Sequence, residues 1–551
     1  MTAVADAGSV APRAGSRHKV IVIGAGVSGI YQIKRLVDLG IDAIVLEADD
    51  DLGGTWYRNR YPGCRFDSES YTYGYSFSRH VLDEWHWKER FSSQPENLRY
   101  LNYVADTFDL RRHMRFNSRV ASMRWDETDR HWHIELTDGT PYQARFVIGG
   151  VGVLSAPTIP DYPGLADFAG DAFHTYHWPK EPVPLADRRV GVIGTGATGI
   201  QVIAEIADTV GELYVFQRRP NWATPLNNST ISDAEMADIR ARYDEIFDTC
   251  ASTFEGFIHE HEPRRFHEAT PEERKAHWDH LYDAPGFAIM AGNFPDVFFD
   301  EDANREMSDY VASRIRDRVD DPVVAERLIP TDHGFAMQRL PLETNYYEAY
   351  NRPNVHLVDL SATPIERITA DGIATSDTEY PLDLIVMATG FDAITGAWDR
   401  MNITGVDGRS LADAWSDGPR TYYGLMAHGF PNLLMVAGPQ SVSGSTNFPR
   451  AIEGGVDWIT DFVTDAQRRH VTRFEPTAAA EQEWIDEVVA RQERLLIRRS
   501  QGWYTGYNRN VDGHGEGTAR YMAYWGGAPR YHATISELAA EGYPGVEFEP
   551  S

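Results

Sequence analysis

The chain has 551 residues, with 52 Lys and Arg against 82 Asp and Glu and a formal net charge of −30. That length allows two or three domains with sizeable cores, and the charge argues against a general nucleic-acid binder, whose phosphate contacts need a basic face. No apolar run reaches the roughly 18 residues of a membrane span. The two cysteines, Cys64 and Cys250, form no C-x-x-C pair and no metal-ligand cluster, so neither a disulfide framework nor a metal site is expected and a cytoplasmic, reducing location fits.

Residues 1–17 are rich in Ala, Gly and Ser without an apolar segment, and read as a disordered tail. Val20 to Ile23 then reads as a buried strand entering Gly24-Ala25-Gly26-Val27-Ser28-Gly29, with a helix-like stretch behind it. In such a turn the first glycine allows the bend and the second lets a pyrophosphate approach. The third lets helix and strand pack closely. The helix N-terminus adds N–H donors for the phosphate. The next strand, Ala43 to Leu46, ends at Glu47, a carboxylate suited to a ribose diol. The apolar strand Arg145 to Gly149 closes this unit near residue 152, and Pro-rich connectors follow around 156–164 and 179–184.

A second strand, Val190 to Ile193, enters Gly194-Thr195-Gly196-Ala197-Thr198-Gly199, 170 residues after the first turn. Its following strand, Leu213 to Phe216, ends at Gln217-Arg218-Arg219, which suits a 2′-phosphate. Arginine pairs are usually solvated surface; here the place at the end of that strand gives them a purpose. One chain is therefore expected to hold two dinucleotides of different kinds on an α/β fold with two Rossmann-like domains.

From about 232 to 330 the pattern becomes helical, with Ile239, Tyr243, Ile246 and Phe247, then Tyr310, Val311, Ile315 and Val319. This predicts a helical insertion in the second unit. Strands are predicted again at Val355 to Val358, Leu382 to Ala388 and Leu433 to Ala437, and helices around 450–467 and 480–498. The C-terminal third has no nucleotide turn of its own and is expected to complete the first domain.

Between the turns, Phe168-Ala169-Gly170-Asp171-Ala172-Phe173-His174-Thr175-Tyr176-His177-Trp178-Pro179 resembles the F-x-G-x-x-x-H-x-x-x-W-P fingerprint of type I Baeyer–Villiger monooxygenases. Related enzymes that oxidise nitrogen or sulfur usually carry Tyr or Phe where Trp178-Pro179 stands. Gly53-Gly54-Thr55-Trp56 with Tyr61-Pro62-Gly63 and Asp67 is similar to a second family signature. Asp383 with Ala388-Thr389-Gly390-Phe391-Asp392 is similar to a third. The resemblance runs from about Lys19 onward. It implies FAD as the bound cofactor, NADPH and O₂ as the species consumed, and ketones converted to esters or lactones through a flavin C4a-peroxide and a tetrahedral adduct. It also implies an FAD domain over 18–152 and 388–551 and an NADP domain over 153–231 and 331–387, with 232–330 inserted.

By the same resemblance Arg339, in the segment Gly334 to Glu343, is the active-site cation, and Asp67 orients it. Arginine stays protonated when partly desolvated. Flavin contacts fall to Gly24, Gly26, Gly29, Glu47, Gly54, Thr55, Trp56, Asp67, Tyr73 and Val120. Nicotinamide-dinucleotide contacts fall to Thr195, Gly196, Ala197, Thr198, Gly199, Gln201, Arg218, Arg219, Gln338 and Trp503. His174, which alone would read as structural, belongs to a linker responsive to that cofactor and receives no chemical step. Trp503-Tyr504-Thr505-Gly506 resembles a closing lid.

Two departures stand out. Gln338 occupies a position where the family often has lysine, and Asn510-Val511-Asp512-Gly513-His514 departs from N-x-P-G-K. Alternatives left open are an N- or S-oxidising flavin monooxygenase and a non-catalytic dinucleotide-binding redox sensor. A disulfide reductase lacks its cysteine pair. The ketone and the oligomeric state, monomer or homodimer, are not encoded in these motifs.

Overall fold

The computed structural model describes residues 15–511, 514–515 and 520–550. Residues 1–14 of the expected tail, and Asp512 and Gly513 of the divergent lid segment, lie outside the described residues. Arg17, placed by sequence in the tail, already belongs to the first strand.

The first sheet contains β1 (Arg17–Ile23), β2 (Ala43–Leu46), β3 (Met114–Arg115), β4 (Val120–Asp126), β5 (His131–Leu136) and β6 (Pro141–Gly149). β1 is central, parallel to β2 on one side and β6 on the other. Val20, Ile21 and Val22 are fully buried; a strand covered on both faces needs such a continuous apolar run. Two short strands from the distant C-terminal third join the same sheet. Leu433–Met435 pairs with β6 and Ile403–Thr404 with β4. The helix α1 (Val27–Asp38) covers one face, and the 21-residue helix Phe448–Arg468 packs on α1. Gln32 donates to Thr460 at 2.9 Å and Tyr31 to Asp457 at 2.7 Å across that contact.

The second sheet is wholly parallel and includes β7 (Asp171–His174), β8 (Arg189–Ile193) and β9 (Glu212–Gln217). Its order is Val355–Asp359, β9, β8, Leu384–Met387, β7. β8 leads through the second glycine turn into the helix Ala197–Ile206. The linker fingerprint thus supplies an edge strand, in register with Leu384–Met387.

Helices fill the stretch from Asp233 to Leu328. Ser232 with Glu235, and Thr270 with Glu273, form capping boxes that start two of them. The periodicity over Ile239 to Phe247 suggests one helix, but the chain breaks it at Arg242, where φ is −113°. The predicted helix at 480–498 stops at Gln492 and resumes as a short 3₁₀ turn at Leu496–Arg499. Among the described residues no helix is long and apolar enough to cross a membrane.

Candidate active site

The two glycine turns are near copies. Gly24 and Gly194 take φ of +97° and +106°, and their amides donate to Leu46 O at 2.8 Å and Phe216 O at 3.0 Å. A Cβ on Gly29 would fall 1.8 Å from Gly24 O, and one on Gly199 2.1 Å from Gly194 O. Only glycine permits that crossing of helix and strand. A Cβ on Gly196 would meet nothing within 4 Å, so the second turn is open where a phosphate must approach. Thr198 sits in the first turn of its helix, and exposed Ala197 opens it.

Neither helix has a side-chain cap or an acid in its first turn. Their N-terminal N–H groups are therefore free for an anion. This donor set and the open approach fit dinucleotide pyrophosphates.

Glu47 is buried at the end of β2, accepting from Ala25 N at 2.6 Å and Asp49 N at 2.9 Å. Burial pushes its pKa up, against the backbone donor of Ala25 and the charge of Arg58. Ser118 N donates to Glu47 O at 2.7 Å, which brings the start of β4 and buried Val120 to the same rim.

The segment after β2 is fastened to the first turn. Gly53 N donates to Ala25 O at 3.0 Å, and a Cβ on Gly54 would lie 3.0 Å from Gly26 Cα. Thr55 begins the short helix that carries Trp56. Buried Trp56 donates from Nε1 to Tyr73 Oη at 2.9 Å, and Tyr73 stacks on Phe66 at 4.2 Å. This aromatic wall leads directly to Asp67.

Arg339 Nη1 donates to Asp67 Oδ2 at 2.6 Å and to Leu340 O at 2.5 Å. Its guanidinium stands 5.0 Å from the ring of Phe287, contributed by the helical stretch. Burial works against the charge, but Asp67, Tyr504 and Tyr61 outweigh it and hold Arg339 above the usual guanidinium range. Tyr61 also donates to Gln201 Oε1 at 2.9 Å, while Gln201 Nε2 donates to Arg65 O at 3.0 Å. Gln201 therefore bolts the helix of the second turn to the Tyr61–Asp67 loop.

At the end of β9, Thr195 Oγ1 donates to Arg219 O at 3.0 Å. Arg219 pairs with Asp332 at 3.2 Å and donates to Gln501 Oε1 at 3.1 Å. Gln338 donates to Gln501 O at 3.3 Å. Arg218 is exposed beside them. Asp332, Gln501 and Phe287 were not singled out by sequence, and nothing local to them signals the contact.

Comparison with known proteins decides the family. A family model described as flavin-binding monooxygenase-like matches residues 17–236. The chain is 44% identical to the 2-oxo-Δ³-4,5,5-trimethylcyclopentenylacetyl-CoA monooxygenase of Pseudomonas putida, covering 96% of this chain and 97% of that one. It is 41% identical to the acetone monooxygenase (methyl acetate-forming) of Gordonia sp. strain TY-5, covering 95% and 98%. A phenazine N-monooxygenase of Lysobacter antibioticus is 36% identical, covering 95% and 96%. A crystal structure of OTEMO in complex with FAD and NADP superposes with a TM-score of 0.93 at 43% identity, covering 97% and 99%.

The chain belongs to the type I Baeyer–Villiger monooxygenases. It is a flavoenzyme of the FAD- and NADP-dependent kind, with two dinucleotide-binding folds.

The monooxygenase linker has a structural histidine at its centre. Buried His174 accepts from Tyr176 N at 3.1 Å through Nδ1, and Nε2 faces Gly390 O at 3.2 Å. Burial, with the charge of His177, lowers its pKa to about 4, so the ring is neutral and Nε2 carries the proton. Asp383, first residue of the third motif, grips Arg189 at 2.7 Å, and that contact draws its carboxyl down to about 2. Its role is to tie two neighbouring strands. Trp503 rests on Ala393, Ile394 and Met522, with the ring of Tyr504 packed against it at 4.0 Å. Cys64 and Cys250 are free and buried, and burial raises both thiols to about 12. Such thiols are inert toward disulfide exchange at neutral pH.

Proposed function

We propose that this enzyme converts a ketone to an ester or lactone with NADPH and O₂, and that Arg339 holds the negative charge that develops on oxygen. In this reading the first sheet, with 18–152 and 388–551, carries FAD, and the second, with 153–231 and 331–387, carries NADPH. The helices of 232–330 roof the substrate side. The observation that carries the proposal is the Asp67–Arg339 pair, set between the aromatic wall of Trp56 and Tyr73 on one side and Phe287 on the other.

When bound, the flavin supplies the redox chemistry, taking a hydride from the nicotinamide and activating O₂. The residues of this chain do the rest. Glu47 and the uncapped amides of α1 bind the flavin's ribose and pyrophosphate. Gly196, the helix behind it, and Arg218 with Arg219 bind the donor. Asp67 keeps Arg339 charged and aimed, and the aromatic side chains exclude water, which raises the value of that charge. Tyr504, Trp503 and Gln501 close the site from the C-terminal side. Two buried, unpaired thiols suit a reducing compartment.

Oxygenation of a ring nitrogen is a second reading, favoured by the phenazine relative. The two differ in what they require of Arg339. Addition to a carbonyl leaves an oxyanion that needs a cation, whereas oxygen transfer to the lone pair of a ring nitrogen does not. Purified enzyme with NADPH is therefore tested against a panel of linear, cyclic and aryl ketones and against phenazines. Ester formation from any ketone, abolished in Arg339→Ala, supports the first reading. Nitrogen oxidation alone, indifferent to Arg339→Ala, replaces it with the second.

A further inference from the structure

The 2′-phosphate end of the donor site carries more positive charge than Arg218 and Arg219 alone. The C-terminal segment from Gln501 to Asn510 runs over the end of β9. Arg219 donates to Gln501 O at 3.3 Å as well as to its side chain at 3.1 Å, and the Arg219 guanidinium lies 5.9 Å from the ring of Tyr507. Two asparagines then fasten the segment to the loop after Leu384–Met387. Asn508 Nδ2 donates to Phe391 O at 2.8 Å, and Asn510 Nδ2 donates to Thr389 O at 3.3 Å.

Arg509 sits between those two anchors. It is exposed, and among the described residues neither Arg509 nor Arg218 has a carboxylate partner. Partial desolvation of its guanidinium, and then the charges of Arg219 and Arg509, lower the pKa of Arg218, so the three guanidiniums share one field. Among the described residues only Asp332 answers it, through Arg219. On a chain of net charge −30, three clustered arginines with one acid repel each other unless an anion joins them. The neighbouring Gln338 contributes no charge, and its amide is directed at Gln501 O.

We propose that Arg509 is a third ligand of the donor's 2′-phosphate, delivered by the C-terminal segment, and that it provides the charge absent at Gln338. The proposal rests on the NADPH reading above. A phosphate dianion offers three oxygens, and guanidinium forks from two directions fit it better than a single pair. The donor's adenosine end and the lid segment would then share one contact.

Calorimetric titration of the FAD-loaded enzyme with adenosine 2′,5′-bisphosphate and with 5′-AMP tests this without turnover. Wild type is expected to bind the bisphosphate at least about tenfold more tightly. Arg509→Ala should weaken the bisphosphate about tenfold and leave 5′-AMP unchanged. Arg509→Lys should recover part of the loss. An equal loss for both ligands, or no loss for either, overturns the role of Arg509 alone. Wild type that fails to separate the two ligands overturns both this proposal and the NADPH reading. Because Arg509 is exposed, an unchanged Tm is expected, and it shows that binding rather than folding is being read.

Discussion

Asp67 and Arg339 stand far apart in the chain and meet at 2.6 Å, the carboxylate from the loop after β2 and the guanidinium from the segment that follows the helical roof. Asp67 is buried and Arg339 is partly exposed, so the pair presents its positive end to the site. Arg339→Ala is expected to lose ester formation by about 100- to 1000-fold, the cost of removing one preorganised oxyanion donor. Bound flavin should remain, and NADPH oxidation should continue uncoupled from ester. Asp67→Asn keeps the hydrogen bond but loses the charge, and a smaller loss of about tenfold is expected. Product yield per NADPH, with flavin absorbance as control, separates these outcomes. Normal ester yield from Arg339→Ala would refute the assignment.

How far the sequence led can be judged from this pair. Strands such as Ala43–Leu46 and Val190 to Ile193 were legible because strands buried on both faces need unbroken apolar runs, and the glycine turns because a Cβ would collide with backbone. Asp67 and Arg339 were reached through a family resemblance, not through local pattern, since neither has neighbours that announce a pair. Phe287, Asp332 and Gln501 were not legible at all. Their roles arise only when the helical stretch and the C-terminal segment fold back against residues distant in the chain, Gln501 against Arg219 across 282 positions. The break at Arg242 was likewise hidden, because apolar spacing continues across it.

The third and second glycines of the second turn should behave oppositely. A Cβ on Gly199 would overlap backbone Gly194 O at 2.1 Å, whereas one on Gly196 meets nothing. Gly199→Ala is expected to unfold the second domain or lower Tm by several degrees. Gly196→Ala should keep the wild-type Tm yet weaken NADPH at least about tenfold, because its methyl occupies the approach of the pyrophosphate. Thermal melts beside NADPH titration give both numbers. A Gly196→Ala variant with normal affinity would place the pyrophosphate elsewhere.

Gln338 offers a gain-of-function test. Its amide lies 3.3 Å from Gln501 O, close to Arg219. Gln338→Lys adds a charge within reach of a 2′-phosphate, and a charge-assisted contact contributes about 1.5 kcal/mol, roughly tenfold in affinity. NADPH is therefore expected to bind about tenfold more tightly while NADH stays unchanged. The ratio of kcat/KM for the two donors reads this directly. An equal change for both donors would mean that Gln338 does not face the 2′-phosphate.

His174 joins the linker to the end of the second sheet in its neutral form only, since Nδ1 accepts from Tyr176 N while Nε2 donates to Gly390 O. Its pKa is near 4 in the fold against 6.5 when free. The unfolded chain therefore binds the extra proton first as pH falls. Stability from this group is complete above about pH 6.5, is lost progressively toward pH 4, and amounts to at most about 3 kcal/mol. Other histidines, buried His333 and partly buried His532 among them, shift in the same direction, so the decisive quantity is a difference between proteins. His174→Gln retains a donor toward Gly390 O but cannot titrate. Its Tm should lie below that of wild type at pH 7.5, for want of the Nδ1 acceptor, and the gap should narrow by several degrees at pH 5. A gap that stays constant between those pH values would show that His174 titrates in the native linker as it does in the unfolded chain.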